Sequence, residues 1–433
     1  MKSSYLDNLK IALNQSNIVQ VFDNLLTFAV EADASDIHIE PYENFWRIRI
    51  RVDGILSEIV QYPKTIHENI IAKFKIESGQ MKPDEKRLPQ DARVSTITLT
   101  SKELDLRANT LPTVRGEKLV MRIVDKSKKV PPLESLGIQG VNYDAILRNI
   151  HYPNGIILNT GPTGCGKSTT LYACLHLLNK VEKNILTYED PVENKMYGLN
   201  QSQIRSDIGY TFPQGLRASL RQDPDIVMVW EIRDRETLET AMEASMTGHL
   251  VFSTVHTNNS AETITRVMNL GAKWYQICGT FNLVMAQRLV RMVCPNCMIT
   301  NQMQSSQYIN FVTDSLKSMN SSALEIELQK RNLTMDQVQA LYAGTICIGK
   351  GTSADGSVCN TCNGSGYRGR VGLYEVMEYD DELKKMLLQD KTAFEVEKFA
   401  LMRGMINLER DGIFKLIQGK TTLEEIYRTT RHK

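Results

Sequence analysis

The chain has 433 residues, and its 51 lysines and arginines against 50 aspartates and glutamates give a formal net charge of +1. With 42% hydrophobic and 23% charged residues, the composition is that of a folded globular protein and excludes a disordered or collagen-like chain. The balanced charge argues against binding nucleic acid through a large positive field. The length predicts about two to four domains.

The apolar segments of the sequence are short. The most apolar runs, such as residues 226–230, have the length of a strand, whereas a membrane-spanning helix needs about 20 consecutive apolar residues. Residues 1–10 lack the apolar core and cleavage site of a secretory signal. We therefore expect a cytoplasmic protein whose eight cysteines are reduced and available as metal ligands or redox groups.

Residues 17–125 have the pattern of a small α+β domain. Apolar residues recur at helical spacing from Ile18 to Ala29, and alternating segments typical of half-buried strands follow, with a turn at Asp53-Gly54. The predicted strand segments are 37–52, 94–99, 104–108 and 119–124. Residues 1–16 are read as a short extension before this domain, and residues 126–132, KSKKVPP, as a proline-stiffened linker after it.

Residues 133–433 alternate short apolar runs with helical segments. The candidate strands are 156–158, 185–188, 226–230 and 250–255, and the candidate helices are 170–178 and 237–246. This alternation predicts an α/β domain with a parallel sheet and helices on both faces. Residues 301–346 are polar, with weak helical spacing near Leu324 to Leu341, and are interpreted as an insertion. Residues 378–430 are predicted to form a C-terminal helical region, with a helical stretch from about 381 to 428.

The segment GPTGCGKS at Gly161–Ser168 matches the phosphate-loop pattern G-x-x-x-x-G-K-[ST], between an apolar strand and a helix. In such a loop the backbone N–H groups surround phosphates, the lysine reaches the β and γ oxygens, and the serine hydroxyl ligates Mg²⁺. We therefore predict ATP and Mg²⁺ as ligands. The candidate nucleotide-binding residues are Gly161, Pro162, Thr163, Gly164, Cys165, Gly166, Lys167, Ser168 (which also ligates Mg²⁺) and Thr169.

Two acidic clusters follow later strands of this domain. Glu189 begins the segment EDPVE after residues 185–188, and Glu231 begins EIRD after residues 226–230. Ligands of open α/β sheets bind at the carboxyl ends of the strands, which is where both clusters lie. Either cluster could instead cap a helix, and His256 could be an ordinary strand-end histidine.

With these motifs in this order, the sequence resembles the secretion ATPase superfamily that powers type II secretion and type IV pilus assembly. Segments similar to its phosphate loop, aspartate box, Walker B segment and histidine box are GPTGCGKSTT at 161, LTYEDPVE at 186, LRQDPDIVMVWEIRD at 220 and TGHLVFSTVHTN at 247. Segments similar to its preceding regulatory domain are ASDIHIEP at 34, RVDG at 51, LPQDARV at 88 and LPTVRGEKLVMRIV at 111.

The resemblance implies a RecA-like ATPase domain, residues 133–433, preceded by a PAS-like α+β domain. It implies a homohexamer that hydrolyses ATP to ADP and phosphate and pushes on an inner-membrane platform protein, so that the chain associates with the membrane through partners. The motor would drive the assembly of pilin-like subunits or type II secretion, without direct contact to nucleic acid.

The resemblance also implies roles for individual residues. Glu189 and Glu231 would be the acidic pair that activates water and holds the metal, in an order left open, and His256 would contact the γ-phosphate. Arg93 and Arg107 would complete the site from the first domain, with Arg122 as a third candidate. These arginines could instead be ordinary residues of a strand face.

Three features depart from the family pattern. Trp230 stands where the family has a glycine before the Walker B glutamate, so the indole must fill a pocket or crowd the metal site. One alternative is therefore a ring subunit that binds nucleotide but turns it over poorly. Cys165 replaces a serine at a position where the backbone N–H makes the contact. Only a short segment precedes the first domain, so the additional N-terminal module of many relatives is not expected.

Two C-x-x-C pairs, Cys294–Cys297 and Cys359–Cys362, predict a tetrahedral zinc site with four thiolates and no open position for water. A redox dithiol would explain one pair and leave the second unexplained. The resemblance supports zinc, because secretion and pilus-assembly ATPases often carry a tetracysteine site, here in a subdomain spanning 290–370. A zinc ribbon on a DNA translocase is a further alternative, which the neutral charge opposes.

Overall fold

The computed structural model describes residues 2–125, 129–303, 305–389 and 391–431. The chain divides into two compact units, Met1–Lys129 and Val130–Lys433. This division falls within the segment 126–132 that the sequence analysis interprets as a linker, of which residues 126–128 lie outside the described residues.

The first unit is an antiparallel sheet covered by helices. Its helices are α1 (Lys2–Asn14), α2 (Ile18–Glu31) and α3 (His67–Ser78), and its strands are β1 (Ala34–Pro41), β2 (Trp46–Val52), β3 (Ile55–Tyr62), β4 (Gln90–Ile97), β5 (Glu103–Thr113) and β6 (Gly116–Asp125). The strand order is β3-β2-β1-β6-β5-β4. Helix α2 begins at the residue after Asn17, whose side chain accepts the N–H of Gln20 as a helix cap.

The turn predicted at Asp53-Gly54 is present and connects β2 to β3. Both of its residues have positive φ, 48° and 83°. Within the segment interpreted as an extension, Lys2–Asn14 form α1, whose Leu9, Ala12 and Leu13 are buried in the same core as the sheet. Because these apolar residues have helical spacing, burying them against the unit removes apolar surface from water.

The second unit contains a seven-stranded sheet in the order β15-β12-β7-β11-β10-β8-β9. The strands of this sheet are β7 (Gly155–Thr160), β8 (Ile185–Glu189), β9 (Asn200–Gln203), β10 (Ile226–Val229), β11 (Leu250–Val255), β12 (Phe281–Val293) and β15 (Tyr367–Glu378), and a separate hairpin is formed by β13 (Met298–Gln302) and β14 (Thr345–Gly349). All neighbours in the sheet are parallel except β12 and β15.

Helices cover both faces of this sheet, and each face has its own apolar core. The helices are α4 (Gly140–Ile150), α5 (Lys167–Leu178), α6 (Phe212–Ser219), α7 (Arg235–Met246), α8 (Ser260–Asn269), α9 (Trp274–Thr280), α10 (Ser306–Lys317), α11 (Ser321–Lys330), α12 (Met335–Tyr342), α13 (Asp381–Leu387), α14 (Ala393–Met402), α15 (Leu408–Ile417) and α16 (Leu423–Thr430). The predicted α/β class is confirmed, and the antiparallel pair at the sheet edge is an addition to it.

The insertion and the C-terminal region fold together. Helices α10, α11 and α12 share one apolar core with α15 and α16. The helical character predicted for residues 381 to 428 is confirmed: four helices occupy this stretch, and the chain turns between them at Gly404 and Gly419, among other places, with φ of 97° and 69°. Only a residue without a Cβ adopts such angles without strain.

A buried ionic cluster joins the insertion to the rest of the second unit. Arg331 donates to Glu327 at 2.5 Å and to Asp411 at 2.8 Å, and Lys415 also donates to Asp411. All four side chains are at most 1% exposed. The second oxygen of Glu327 accepts the N–H of Val141 at 3.0 Å, so α11 is fixed to the start of α4. Within the described residues, no helix is long and apolar enough to cross a membrane.

Candidate functional site

The predicted phosphate loop connects β7 to α5 at the carboxyl edge of the parallel strands. Pro162, Thr163 and Gly164 form its exposed tip, and Cys165 is buried. Ser168 and Thr169 lie in the first turn of α5, which begins at Lys167. The helix N-terminus and its N–H groups therefore face the space that the loop encloses, which suits an anion.

Two glycines of the loop lie directly on β12. Gly161 and Gly166 have φ of 145° and 92°. A Cβ on Gly161 would stand 2.5 Å from the carbonyl oxygen of Gln287, and one on Gly166 would stand 2.9 Å from the Gln287 side-chain nitrogen. Both positions therefore require glycine for conformation and for space.

The Lys167 ammonium group lies over the loop. Its Nζ donates to the carbonyl oxygens of Gly161 at 2.6 Å and Pro162 at 3.3 Å. Burial lowers the pKa of Lys167 from its ordinary value. Because these acceptors are uncharged carbonyls, a phosphate in the loop would give the ammonium a stronger partner.

Glu231 and His256 meet at the ends of β10 and β11, which are neighbouring parallel strands. His256 Nε2 lies 3.2 Å from Glu231 Oε1, and Arg233 Nε donates to Glu231 Oε2 at 2.7 Å. The Glu231 side chain is 11% exposed and that of His256 is 45% exposed. A cleft of about 460 Å³ beside the loop is lined by Gly161 and His256, among others.

Glu189 lies at the end of β8 in a different environment. It is fully buried, and its oxygens accept hydrogen bonds from Tyr172, from Thr187 at 2.6 Å and from Gln201 at 3.1 Å. Burial and the neighbouring carboxylate raise the pKa of Tyr172, so its hydroxyl stays protonated and donates. The two predicted glutamates thus differ in their access to solvent.

Trp230 is half-buried and packs on the side of Glu189. Its ring lies 6.4 Å from the ring of Tyr172, and it joins the apolar core on that face of the sheet together with Met196 and Leu199. The backbone N–H of Trp230 donates to the Tyr188 carbonyl oxygen at 2.9 Å, and the Thr254 side-chain hydroxyl donates to the Trp230 carbonyl oxygen at 2.6 Å. The indole therefore fills a pocket beside the tyrosine that holds Glu189.

The three candidate arginines of the first unit stand in one row. Arg93 on β4 is opposite Arg107 on β5, and Arg107 is opposite Arg122 on β6. Arg122 Nε donates to Asp36 Oδ1 at 3.2 Å on β1. These residues line a cleft of about 580 Å³ in the first unit.

The four predicted zinc ligands come together in the second unit. Cys294, Cys297, Cys359 and Cys362 are buried, and their sulfurs lie within 4.8 Å of one another. The Sγ atoms of Cys294 and Cys359 are 3.9 Å apart, and those of Cys297 and Cys362 are 3.7 Å apart. A tetrahedron with Zn–S bonds of about 2.3 Å has edges of about 3.8 Å, so the four thiols fit that ion.

Backbone donors support the same cysteine cluster. The N–H of Gly351 points at Cys297 Sγ and that of Gly366 at Cys362 Sγ, each at 3.3 Å. Such N–H groups stabilise thiolates, which are the form that binds metal. The hairpin of β13 and β14 leaves this cluster, so a metal here would hold the base of the insertion.

Sequence reasoning missed several residues of the site. Tyr172 and Gln201, which hold Glu189, and Gln287, which forms the floor of the loop, occupy positions with no motif. These residues reach the site because distant segments of the chain pair in the fold. The spacing of residues along the sequence does not reveal that pairing.

A phosphate loop at the first strand and helix of a mostly parallel sheet, with acidic residues at neighbouring strand ends, defines a P-loop nucleotide-binding protein. The chain matches the family described as type II/IV secretion system protein over residues 12–428. It therefore belongs to this family.

Curated relatives cover nearly the whole chain. The type IV pilus assembly ATPase PilB of Acinetobacter baylyi is 40% identical over 424 residues, which are 98% of this chain and 68% of the relative. Type II secretion system protein E of Pseudomonas aeruginosa is 36% identical over 416 residues, 96% of this chain and 76% of the relative.

Two solved structures share the fold. The ATPase DotB of Legionella pneumophila has a TM-score of 0.63 at 21% identity, covering 94% of both chains. The pilus retraction motor PilT with bound ADP has a TM-score of 0.59 at 22% identity, covering 94% of this chain and 96% of its own. At these identities the likeness concerns the fold alone.

Proposed function

We propose that the chain is a hexameric motor ATPase that hydrolyses ATP to ADP and phosphate and drives assembly of pilin-like subunits or type II secretion. The observation that carries the proposal is the phosphate loop with Lys167 beside the Glu231–His256 pair, in a member of the secretion family. The names of the relatives, a pilus assembly ATPase and a type II secretion protein, support pilin-like subunit assembly and type II secretion as the processes that the motor drives.

We assign the hydrolytic chemistry to Glu231 and His256, because Glu231 contacts the exposed His256 imidazole, which lines the cleft beside the loop, while Glu189 is enclosed by donors. Glu231 would orient the attacking water, and His256 would contact the γ-phosphate. Ser168 and Glu231 would hold Mg²⁺, which when bound neutralises phosphate charge. Glu189 would position this side of the site through its bonds to Tyr172 and Gln201.

Arg93 and Arg107 would supply positive charge to the γ-phosphate of a site shared in the ring, and Arg122, which donates to Asp36, is the third candidate. Their alignment on one face of the first unit supports this role, because a row of guanidinium groups suits an anion. Such arginines can raise hydrolysis by about a thousandfold or more.

The tetracysteine cluster would bind one structural Zn²⁺ per chain, as its tetrahedral spacing supports. We further propose a cytoplasmic location, with an inner-membrane platform protein as the partner that receives the force and provides the membrane association. The net charge of +1 supports a motor acting on protein rather than on DNA.

The test of the enzymatic proposal is phosphate release from MgATP by the purified full chain. We expect turnover that requires Mg²⁺ and that rises per chain with protein concentration as rings assemble. No Mg-dependent release at any concentration would contradict the proposal.

A second candidate function, a ring subunit that binds nucleotide but hydrolyses it poorly, depends on Trp230. The packing of the indole on Tyr172 predicts that Trp230→Gly lowers turnover, by about threefold to tenfold, because it leaves a cavity beside the tyrosine that holds Glu189. Trp230→Phe, which keeps an aromatic ring there, should stay near the wild-type rate. Faster turnover in Trp230→Gly, measured as phosphate release, would favour the poorly hydrolysing subunit instead.

A further inference from the structure

Four polar side chains are buried beneath the phosphate loop. Asn159, Thr170, Gln287 and Tyr374 are each at most 2% exposed, and they come from β7, α5, β12 and β15. None of them belongs to the predicted nucleotide-binding set. Buried polar groups cost free energy unless they are hydrogen-bonded, and within the described residues every polar side-chain atom of these four has a partner except Asn159 Oδ1.

Three of these side chains form a closed ring of hydrogen bonds. The Thr170 hydroxyl donates to Gln287 Oε1 at 2.9 Å, and Gln287 Nε2 donates to the Tyr374 hydroxyl oxygen at 3.1 Å. The Tyr374 and Thr170 oxygens are 3.2 Å apart. Because the Thr170 proton is used on Gln287, the tyrosine must donate to Thr170, so each group donates once and accepts once. The ring fixes the direction of the Gln287 amide.

Gln287 also lies directly against the phosphate loop. Its Nε2 would lie 2.9 Å from a Cβ on Gly166, and its carbonyl oxygen 2.5 Å from a Cβ on Gly161, so the loop lies against this residue at both glycines. Asn159 donates to Gln287 Oε1 at 3.1 Å and approaches the Lys167 carbonyl oxygen at 3.4 Å. A change in the Gln287 amide therefore moves the surface on which the loop lies.

Tyr374 is also anchored by contacts outside this ring of hydrogen bonds. Its backbone N–H donates to Asp411 Oδ2 at 2.8 Å, and Asp411 belongs to the buried ionic cluster with Arg331 and Lys415. The ring of Tyr374 also lies 5.6 Å from Lys415 Nζ. The backbone and the aromatic ring of Tyr374 are thus anchored to the ionic cluster independently of Gln287.

We propose that Tyr374, acting through Gln287 and Thr170, is a positioning residue that holds the phosphate loop in its nucleotide-binding shape. The inference rests on the proposed function, since it concerns the same nucleotide site. Removing the Tyr374 hydroxyl leaves a Gln287 N–H and a Thr170 oxygen without partners, and the amide is free to turn under Gly166. The loss should appear in nucleotide affinity before it appears in the chemical step.

The chain offers a matched control for this hydroxyl. Tyr379 follows the end of β15, is 3% exposed, and its hydroxyl has no hydrogen-bond partner among the described residues. Tyr374→Phe and Tyr379→Phe therefore remove the same atom from two buried tyrosines close in sequence. Only the first of these atoms belongs to the ring beneath the loop.

The experiment measures ATP and ADP dissociation constants, KM and kcat for the full chain and both variants. We expect Tyr374→Phe to weaken ATP binding and raise KM by about tenfold, with kcat at saturating ATP within about threefold of wild type. Tyr379→Phe should leave all four values unchanged. Unchanged affinity in Tyr374→Phe, or an equal loss in Tyr379→Phe, would overturn the inference.

A second pair of variants decides the outcome if Tyr374→Phe does not fold. Thr170→Val removes the hydroxyl at constant shape and should lower ATP affinity by a similar factor, whereas Thr170→Ser keeps the hydroxyl and should restore it. Equal affinity in the two variants would overturn the inference. Wild-type chain that binds ATP but does not hydrolyse it would contradict the proposed function while leaving this inference standing.

Discussion

Replacing Lys167 with alanine is expected to lower MgATP hydrolysis by about a hundredfold or more. The ammonium group lies over the loop and donates only to two backbone carbonyls, so its charge is available to the β and γ oxygens. Removing it takes away charge where negative charge develops in the transition state. The measurement is phosphate release at saturating MgATP, together with the ATP dissociation constant.

The matched control is Lys180→Ala, at an exposed lysine just beyond the end of α5. It changes the net charge of the chain by the same amount, far from the phosphate loop in sequence. We expect wild-type turnover and an unchanged unfolding temperature. Turnover of Lys167→Ala within threefold of wild type would contradict the assignment of this loop.

Replacing Cys297 with serine is expected to remove the zinc and to destabilise the second unit by more than about 3 kcal/mol. The four sulfurs stand at tetrahedral spacing, and the base of the insertion depends on them. With three ligands left, the affinity for the ion falls, and the folding free energy linked to its binding falls with it. The measurements are zinc content per chain and the unfolding temperature with and without a chelator.

Cys347→Ser is the control for the cysteine change. Cys347 is half-buried on β14 and lies outside the cluster. This variant should keep one zinc per chain and nearly the wild-type unfolding temperature. A wild-type chain without zinc, in which the pairs cycle between thiol and disulfide, would contradict the metal site and favour the redox alternative.

Local motifs allowed much of the second unit and its site to be predicted. The phosphate loop, Glu231 and the cysteine pairs are carried by spacing over a few residues, because a tight turn or a strand end fixes their geometry locally. The meeting of Glu231 with His256 depends instead on β10 and β11 being neighbouring parallel strands, which the structure shows. To propose a role for each residue, we also needed its burial, which only the structure shows.

Features that depend on distant pairing could not be predicted. Nothing in the local sequence indicates that Gln287 and Tyr374 lie on paired strands beneath the loop. Likewise, Arg93 and Arg107 are candidates one by one, but only the register of β4 and β5 aligns them. Only weak helical spacing near residues 324–341 indicates the helices of the polar insertion, because its apolar positions are few and pack against α15 and α16 rather than within the insertion alone.

The central claim is that ATP is hydrolysed at a site shared between copies of this chain. The most direct test is phosphate release from rings that contain Arg93→Ala and Lys167→Ala chains in equal amounts, produced by co-expression. Each variant alone should be nearly inactive. In the mixed rings, an intact loop next to an intact arginine occurs at about a quarter of the positions, so we expect about a quarter of the wild-type rate. Mixed rings as inactive as either variant alone would contradict the claim.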